Sequence, residues 1–175
     1  MSDQVLTGQT RRWSRRRAFL VTALIGLAMA LVDQTSKLLA LGTLSEGERI
    51  PLIGDVFGLQ LAFNPGTVMS FGAGSTWVFT TISALATIGL GVAATRVPSL
   101  PWAVAVGLIW GGAMGNLWDR LAAPPGFGVG HVTDFLAYGD LFIGNLADVA
   151  LGVGVALSFL LRLLARRDSR VPTPQ

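Results

Sequence analysis

Four long apolar blocks, set apart by short charged segments, restrict this chain to folds whose main solvent is lipid. A membrane span needs about 20 mostly apolar residues. The blocks cover about residues 18–41, 76–94, 102–121 and 141–164, so each is long enough. Charged residues make up 13% of the chain. That is about half the share in a soluble domain, and most of the charges fall between the blocks. The expectation is an all-α membrane protein: one polytopic domain over residues 1–175 with four transmembrane helices.

The first block has a competing reading. Arg15-Arg16-Arg17 before an apolar stretch looks like a cleavable signal peptide, and Arg16-Arg17-Ala18-Phe19-Leu20 loosely like a twin-arginine signal. No small-x-small cleavage site follows. Asp33 and Lys37 come next and the apolar pattern resumes, so the block reads as a retained span.

Charge then orients the spans. Of 13 Lys and Arg, 10 fall in the N-terminal tail (Arg11, Arg12, Arg15, Arg16, Arg17), the link between the second and third blocks (Arg96) and the C-terminal end (Arg162, Arg166, Arg167, Arg170). With four spans these regions share one side, the cytoplasm by the positive-inside rule. The tails 1–16 and 166–175 are then cytoplasmic, and segments 43–75 and 122–140 face outward. Eight of the 10 acids fall on that outer half: Asp33, Glu46, Glu48, Asp55, Asp119, Asp134, Asp140 and Asp148. The short link Val97-Pro98-Ser99-Leu100-Pro101 implies antiparallel second and third spans. Val56-Phe57-Gly58-Leu59-Gln60-Leu61-Ala62-Phe63 is β-prone and predicts a small outer sheet or strand pair, an irregular loop being the alternative. Pro124-Pro125-Gly126-Phe127-Gly128 reads as a loop. Trp77 and Trp102 suit interfacial anchors, Trp110 and Trp118 packing positions.

Composition excludes several chemistries. With no cysteine there is no disulfide, thiol nucleophile or cysteine metal site. With one histidine, His131, there is no multi-histidine metal site, and His131 reads as structural. Hydrolysis would rest on carboxylates or on a Ser/Lys pair. Ser36 and Lys37 are adjacent on a helix and point apart, which disfavours that pair. The net charge of +3 and pI near 10.6 could suggest nucleic acid, but the charge lies at the chain ends beside spans, so none is expected.

Ionisable residues within spans are costly and are functional candidates. Asp33 and Lys37 are four apart on the first span and share a face. Asn116, Asp119 and Arg120 end the third span outward, and Asn145 and Asp148 open the fourth. Three spans thus carry polar faces at one depth. Ion pairing or snorkelling would explain some of them, and Asp134 alone would be a plain loop acid.

Together these residues form motifs that resemble the signal peptidase II family. Asp33-Gln34-Thr35-Ser36-Lys37 is similar to its D-x-x-S/T-K pattern, and Asn64-Pro65-Gly66-Thr67-Val68-Met69 to N-x-G-x-A/V-F. Gly111-Gly112-Ala113-Met114-Gly115-Asn116-Leu117-Trp118-Asp119-Arg120 is similar to G-G-x-x-G-N-x-x-D-R. Val132-Thr133-Asp134-Phe135 and Asn145-Leu146-Ala147-Asp148 are similar to V-x-D-F and N-x-A-D. Met69 stands where the family usually has Phe, Pro65 is unusual after Asn64, Gly144 replaces a common Phe, and the gap between the last two motifs is short.

The resemblance implies an aspartyl endopeptidase with Asp134 and Asp148 as the catalytic pair. It implies supporting roles for Asp33, Lys37, Asn64, Asn116, Asp119, Arg120 and Asn145. No metal or cofactor is needed. The implied substrate is a prolipoprotein whose cysteine bears diacylglycerol. The implied place is the bacterial inner membrane, with the site near the periplasmic face and membrane lipid around an expected monomer. A coupled transporter, a Mg²⁺-dependent phosphotransferase and a non-catalytic scaffold are the rival readings. Surface placement of the acids and the lack of a repeat argue against a transporter.

Overall fold

The computed structural model describes residues 13–66 and 75–168. Arg11, Arg12, Arg170, Met69 with the rest of residues 67–71, and the terminal 171–175 lie outside these. Element order is α1 (Arg15–Thr43), β1 (Arg49–Ile53), β2 (Phe57–Asn64), α2 (Thr76–Ala94), α3 (Leu100–Ala122), β3 (Val132–Tyr138), β4 (Phe142–Gly144) and α4 (Leu146–Asp168). All four helices are long and apolar enough to cross a membrane.

The helices are patterned inside out relative to a soluble bundle. On α1 the buried positions are Ala18, Thr22, Gly26, Asp33, Lys37 and Ala40. The exposed ones include Leu20, Leu24, Leu27, Leu31 and Leu38, recurring at three- and four-residue steps. Small and polar groups therefore face protein while leucines face lipid. In a bilayer lipid tails are as apolar as leucine, so helices associate through close backbone contact and hydrogen bonds instead.

Glycines supply that contact. α3 packs against the other three helices. A Cβ added at Gly111 would come 2.5 Å from the Gly26 carbonyl oxygen of α1, and one at Gly112 would come 2.5 Å from the Ala147 carbonyl oxygen of α4. One at Gly115 would collide with the Asp33 carboxylate. The G-G-x-x-G pattern is thus the seat of both neighbouring helices. Gly115→Ala is expected to destabilise by roughly 1–3 kcal/mol, the cost of overpacking. Gly152→Ala, whose added Cβ meets nothing within 4 Å, should be neutral in the same melting experiment in detergent.

The strands form one antiparallel sheet in the order β1-β2-β3-β4. Its underside packs on the outer ends of α1 and α4 through Ala40, Leu44, Phe135, Leu136 and Leu146. Arg49 clips the hairpin tips together, donating to the carbonyls of Gly139 (3.1 Å) and Asp55 (2.9 Å).

Two expectations need correction. The fourth apolar block does not begin as helix at 141: Phe142–Gly144 is a strand paired with β3, and α4 starts only at Leu146. Trp118 is 60% exposed and does not pack inside.

Candidate active site

The start of α4 builds the first half of the site. Asn145 precedes the helix, and its Oδ1 accepts from the Asp148 backbone N–H at 3.0 Å. In return Asp148 Oδ2 accepts from the Asn145 backbone N–H at 3.2 Å. This is a reciprocal capping box, with Asn and Asp in place of the usual Ser/Thr and Glu. The spacing in N-x-A-D therefore starts the helix and holds the Asp148 carboxylate at its positive end. The Ala between them is required by space, since Ala147 is fully buried against Gly112.

Asp134 arrives from β3. It pairs with Ala62 of β2, beside a register shift between Leu59 and Ala62. Such irregularities re-aim side chains and are common beside active sites. Its Oδ1 accepts from Asn145 Nδ2 at 2.6 Å and its Oδ2 from Asn64 Nδ2 at 3.1 Å. Asn145 thus touches both carboxylates, so Asp134 and Asp148 share one buried hub.

Donors of fixed sense set the direction of every amide around that hub. Lys37 Nζ donates to Asn116 Oδ1 at 2.9 Å, which leaves Asn116 Nδ2 to donate to Asp148 Oδ1 at 3.0 Å. Asn145 Nδ2 also donates to Asn116 Oδ1, at 3.1 Å. The Gly66 N–H donates to Asn64 Oδ1 at 2.8 Å, turning that amide's N–H₂ toward Asp134. Gly66 has φ of +93° and packs on Phe79, so glycine is needed there.

A charged layer supports the hub from behind. Lys37 Nζ lies 2.7 Å from Asp33 Oδ2 and 2.9 Å from Asp119 Oδ2. Asp33 Oδ1 accepts from the Ala147 backbone N–H at 2.9 Å, and Asp119 Oδ2 from that of Thr133 at 3.1 Å. The charged layer therefore ties α1 and α3 to the start of α4 and to β3, the two elements that carry the carboxylates. Arg120 is buried, stacks near the Phe79 ring at 5.9 Å and lies within electrostatic reach of Asp134, Asp119 and Asp148. Its Nη1 makes no hydrogen bond among the described residues.

All nine residues singled out from the sequence meet here. Gln34 was missed as a participant. Its Nε2 donates to Asp119 Oδ1 at 2.9 Å and to the Gly115 carbonyl at 3.1 Å. The available signal was an amide inside an apolar span, one turn from Lys37. His131 lies elsewhere, lining an apolar cavity of about 540 Å³ with Leu41, Phe63 and Pro124.

Burial pushes the Asp134 carboxyl up to about 6, and the neighbouring Asp148 charge adds to the rise. Hydrogen bonds from Asn64 and Asn145 and the charge of Lys37 oppose it. A pair of adjacent carboxylates with unequal surroundings is the arrangement that divides acid and base roles.

Known proteins place the chain. Residues 25–164 match the family model described as signal peptidase (SPase) II. A lipoprotein signal peptidase of Leifsonia xyli is 43% identical over 153 residues, covering 83% of this chain and 68% of that protein. One of Bifidobacterium longum is 40% identical over 157 residues, covering 89% and 85%. A bacterial membrane enzyme solved by the in meso method superposes with a TM-score of 0.72 at 25% identity, covering 88% of this chain and 93% of that one. The chain belongs to the signal peptidase II family.

Proposed function

We propose that this protein is an aspartyl endopeptidase that removes signal peptides from prolipoproteins, cutting before a diacylglyceryl-modified cysteine. The observation that carries the mechanism is the Asn145 hub, which joins Asp134 and Asp148 and leaves them in unlike surroundings. The substrate follows from the relatives, whose name is lipoprotein signal peptidase.

Asp148 only accepts at both oxygens, from Asn116 and the Asn145 N–H, as suits a carboxylate that polarises water. Asp134, pushed up to about 6, is suited to hold the proton of the pair. Water attacks the scissile carbonyl carbon as one of its protons passes to Asp148. Asp134 donates to the carbonyl oxygen. On collapse the C–N bond breaks, one hydroxyl proton of the diol returns to Asp134 as the carbonyl re-forms, and the proton on Asp148 goes to the departing amine. Nη1 of Arg120, buried and without a hydrogen-bond partner among the described residues, supplies positive charge beside the pair.

Depth explains the substrate class. Asp33 lies 18 residues beyond Arg15, roughly 27 Å along α1 at 1.5 Å per residue, so the site is close to one membrane surface. A lipidated cysteine can keep its acyl chains in the bilayer while its peptide bond reaches the carboxylates. Arginine placement supports the reading in which both tails are cytoplasmic and the site faces outward in the bacterial inner membrane.

The test is cleavage of a diacylglyceryl-modified prolipoprotein peptide by protein purified in detergent. Cutting before the cysteine is expected, at a rate unchanged by EDTA. Cleavage of the unlipidated peptide at the same rate would defeat the substrate assignment. In the same assay kcat/KM should fall on an alkaline limb with a midpoint near 6, as Asp134 loses its proton. A flat profile from about pH 5 to 8 would count against Asp134 as the acid.

A further inference from the structure

At the end of the bundle remote from the carboxylates lies a second polar feature, which the proteolytic reading does not use. A cleft of about 340 Å³ opens between the start of α1 and the α2–α3 link. Trp13, Arg15, Thr95, Arg96, Val97 and Pro98 line it. Its floor is rigid: Trp13 packs on the buried cluster of Ala18, Val97 and Ala103. Arg17 is held over the Trp13 ring at 4.8 Å. Arg15 and Arg96 come from separate elements, and their side chains reach no hydrogen-bond or ion-pair partner among the described residues. The acids whose side chains are described all lie toward the carboxylate end of the chain's topology, so none of those side chains neutralises the cleft.

Two guanidinium groups lining one cleft, without a partner among the described residues, suit a phosphate group, since each offers a planar fork of donors. The apolar wall of Trp13, Val97 and Pro98 and the lipid-facing helices beside it suit a phosphate that carries acyl chains. We propose that this cleft binds the phosphate of an anionic phospholipid, in the leaflet opposite the carboxylate site. Basic pockets between transmembrane helices are a recurrent way to hold such headgroups. Trp13 lies two residues before the start of the first apolar helix, and indoles favour the membrane interface.

The full chain in detergent can be titrated with dioleoyl phosphatidylglycerol and followed by native mass spectrometry. One tight adduct is expected, absent with dioleoyl phosphatidylcholine. In Arg15→Gln/Arg96→Gln its affinity should fall roughly 30-fold, the scale for removing two arginines from an anionic headgroup. Both arginines are exposed, so the double variant should melt as wild type does in lipid-free detergent. Arg162→Gln/Arg167→Gln removes equal charge elsewhere and should retain the adduct. Equal loss in that control would reduce the effect to net charge and overturn the site. Inorganic phosphate that displaces the lipid at equal concentration would make a soluble anion the occupant and overturn the lipid assignment.

Discussion

Asp134→Asn is expected to lower prolipoprotein cleavage by roughly 10³–10⁴-fold while leaving the protein at least as stable as wild type at pH 8. The loss of rate follows from removing the proton donor of the pair, since a positioned acid or base contributes about 10²–10⁴-fold and the members of such a unit fail together. The stability half of the prediction is less obvious and more discriminating. The Asp134 carboxyl sits at about 6 against an ordinary 3.8, so between those values the folded chain holds a proton that the unfolded chain has lost. Folding is therefore most favoured below about 4 and weakens as pH rises to about 6. Above that the wild type carries the whole cost of a buried charge, on the order of 3 kcal/mol. Asparagine carries no charge and keeps an oxygen for Asn145. It loses one acceptor for Asn64, which offsets part of the gain. At pH 8 the variant should melt at or above the wild-type temperature, and at pH 4–5 that advantage should vanish. Asp148→Asn should be equally inactive, but the capping role of Asp148 makes a stability gain there unexpected. Melts at both pH values, beside cleavage assays on the same preparations, decide the matter. If Asp134→Asn still cuts at near the wild-type rate, the pair is not the catalytic group. If it is inactive only because it unfolds, its inactivity says nothing about chemistry.

Much of this arrangement is legible in the chain because helices impose a period. Asp33 and Lys37, Asn116 with Asp119 and Arg120, and Asn145 with Asp148 each announce a shared face by three- and four-residue spacing. Apolar length and arginine placement stack those faces at one end of the bundle. The strands are harder. Asp134 reads as a loop acid on its own, because its position depends on pairing with a segment about 70 residues earlier, and no local pattern encodes that partner. Phe142–Gly144 is as apolar as a helix start and is strand only because β3 lies beside it. Gln34 stands within the D-x-x-S/T-K motif, yet its contacts are with α3, which the spacing along α1 cannot report. The clip made by Arg49 is similarly invisible, as it joins two turns far apart in sequence. Residues on one helix face could be grouped from spacing alone, whereas those brought in by distant pairing were singled out only through the family resemblance or not at all.

Lys37→Met is expected to be among the most destabilising single changes in the protein, by on the order of 3–5 kcal/mol, the cost of leaving buried charge uncompensated. Lys37 is 2% exposed and stands between Asp33, fully buried, and Asp119, 5% exposed. Removing the ammonium leaves two carboxylates facing each other, with N–H donors from Ala147, Thr133 and Gln34 among the described residues. A second loss is orientational. Lys37 is the donor of fixed sense that turns the Asn116 amide so that Nδ2 points at Asp148. Without it, Asn116 Oδ1 keeps only the 3.1 Å bond from Asn145 Nδ2 among the described residues, and the hold of Asn116 on Asp148 loosens. These two effects separate in the double variant Lys37→Met/Asp33→Asn. Neutralising Asp33 leaves Asp119 with its donors from Gln34 and Thr133, so the melting temperature should recover part of its loss. Cleavage should recover less than stability, because Asn116 still lacks the Lys37 donor and is held only by Asn145 among the described residues. Should kcat rise in step with stability in the double variant, Lys37 would be shown to act only by holding the helices together, and the amide relay from Lys37 through Asn116 to Asp148 would be discarded.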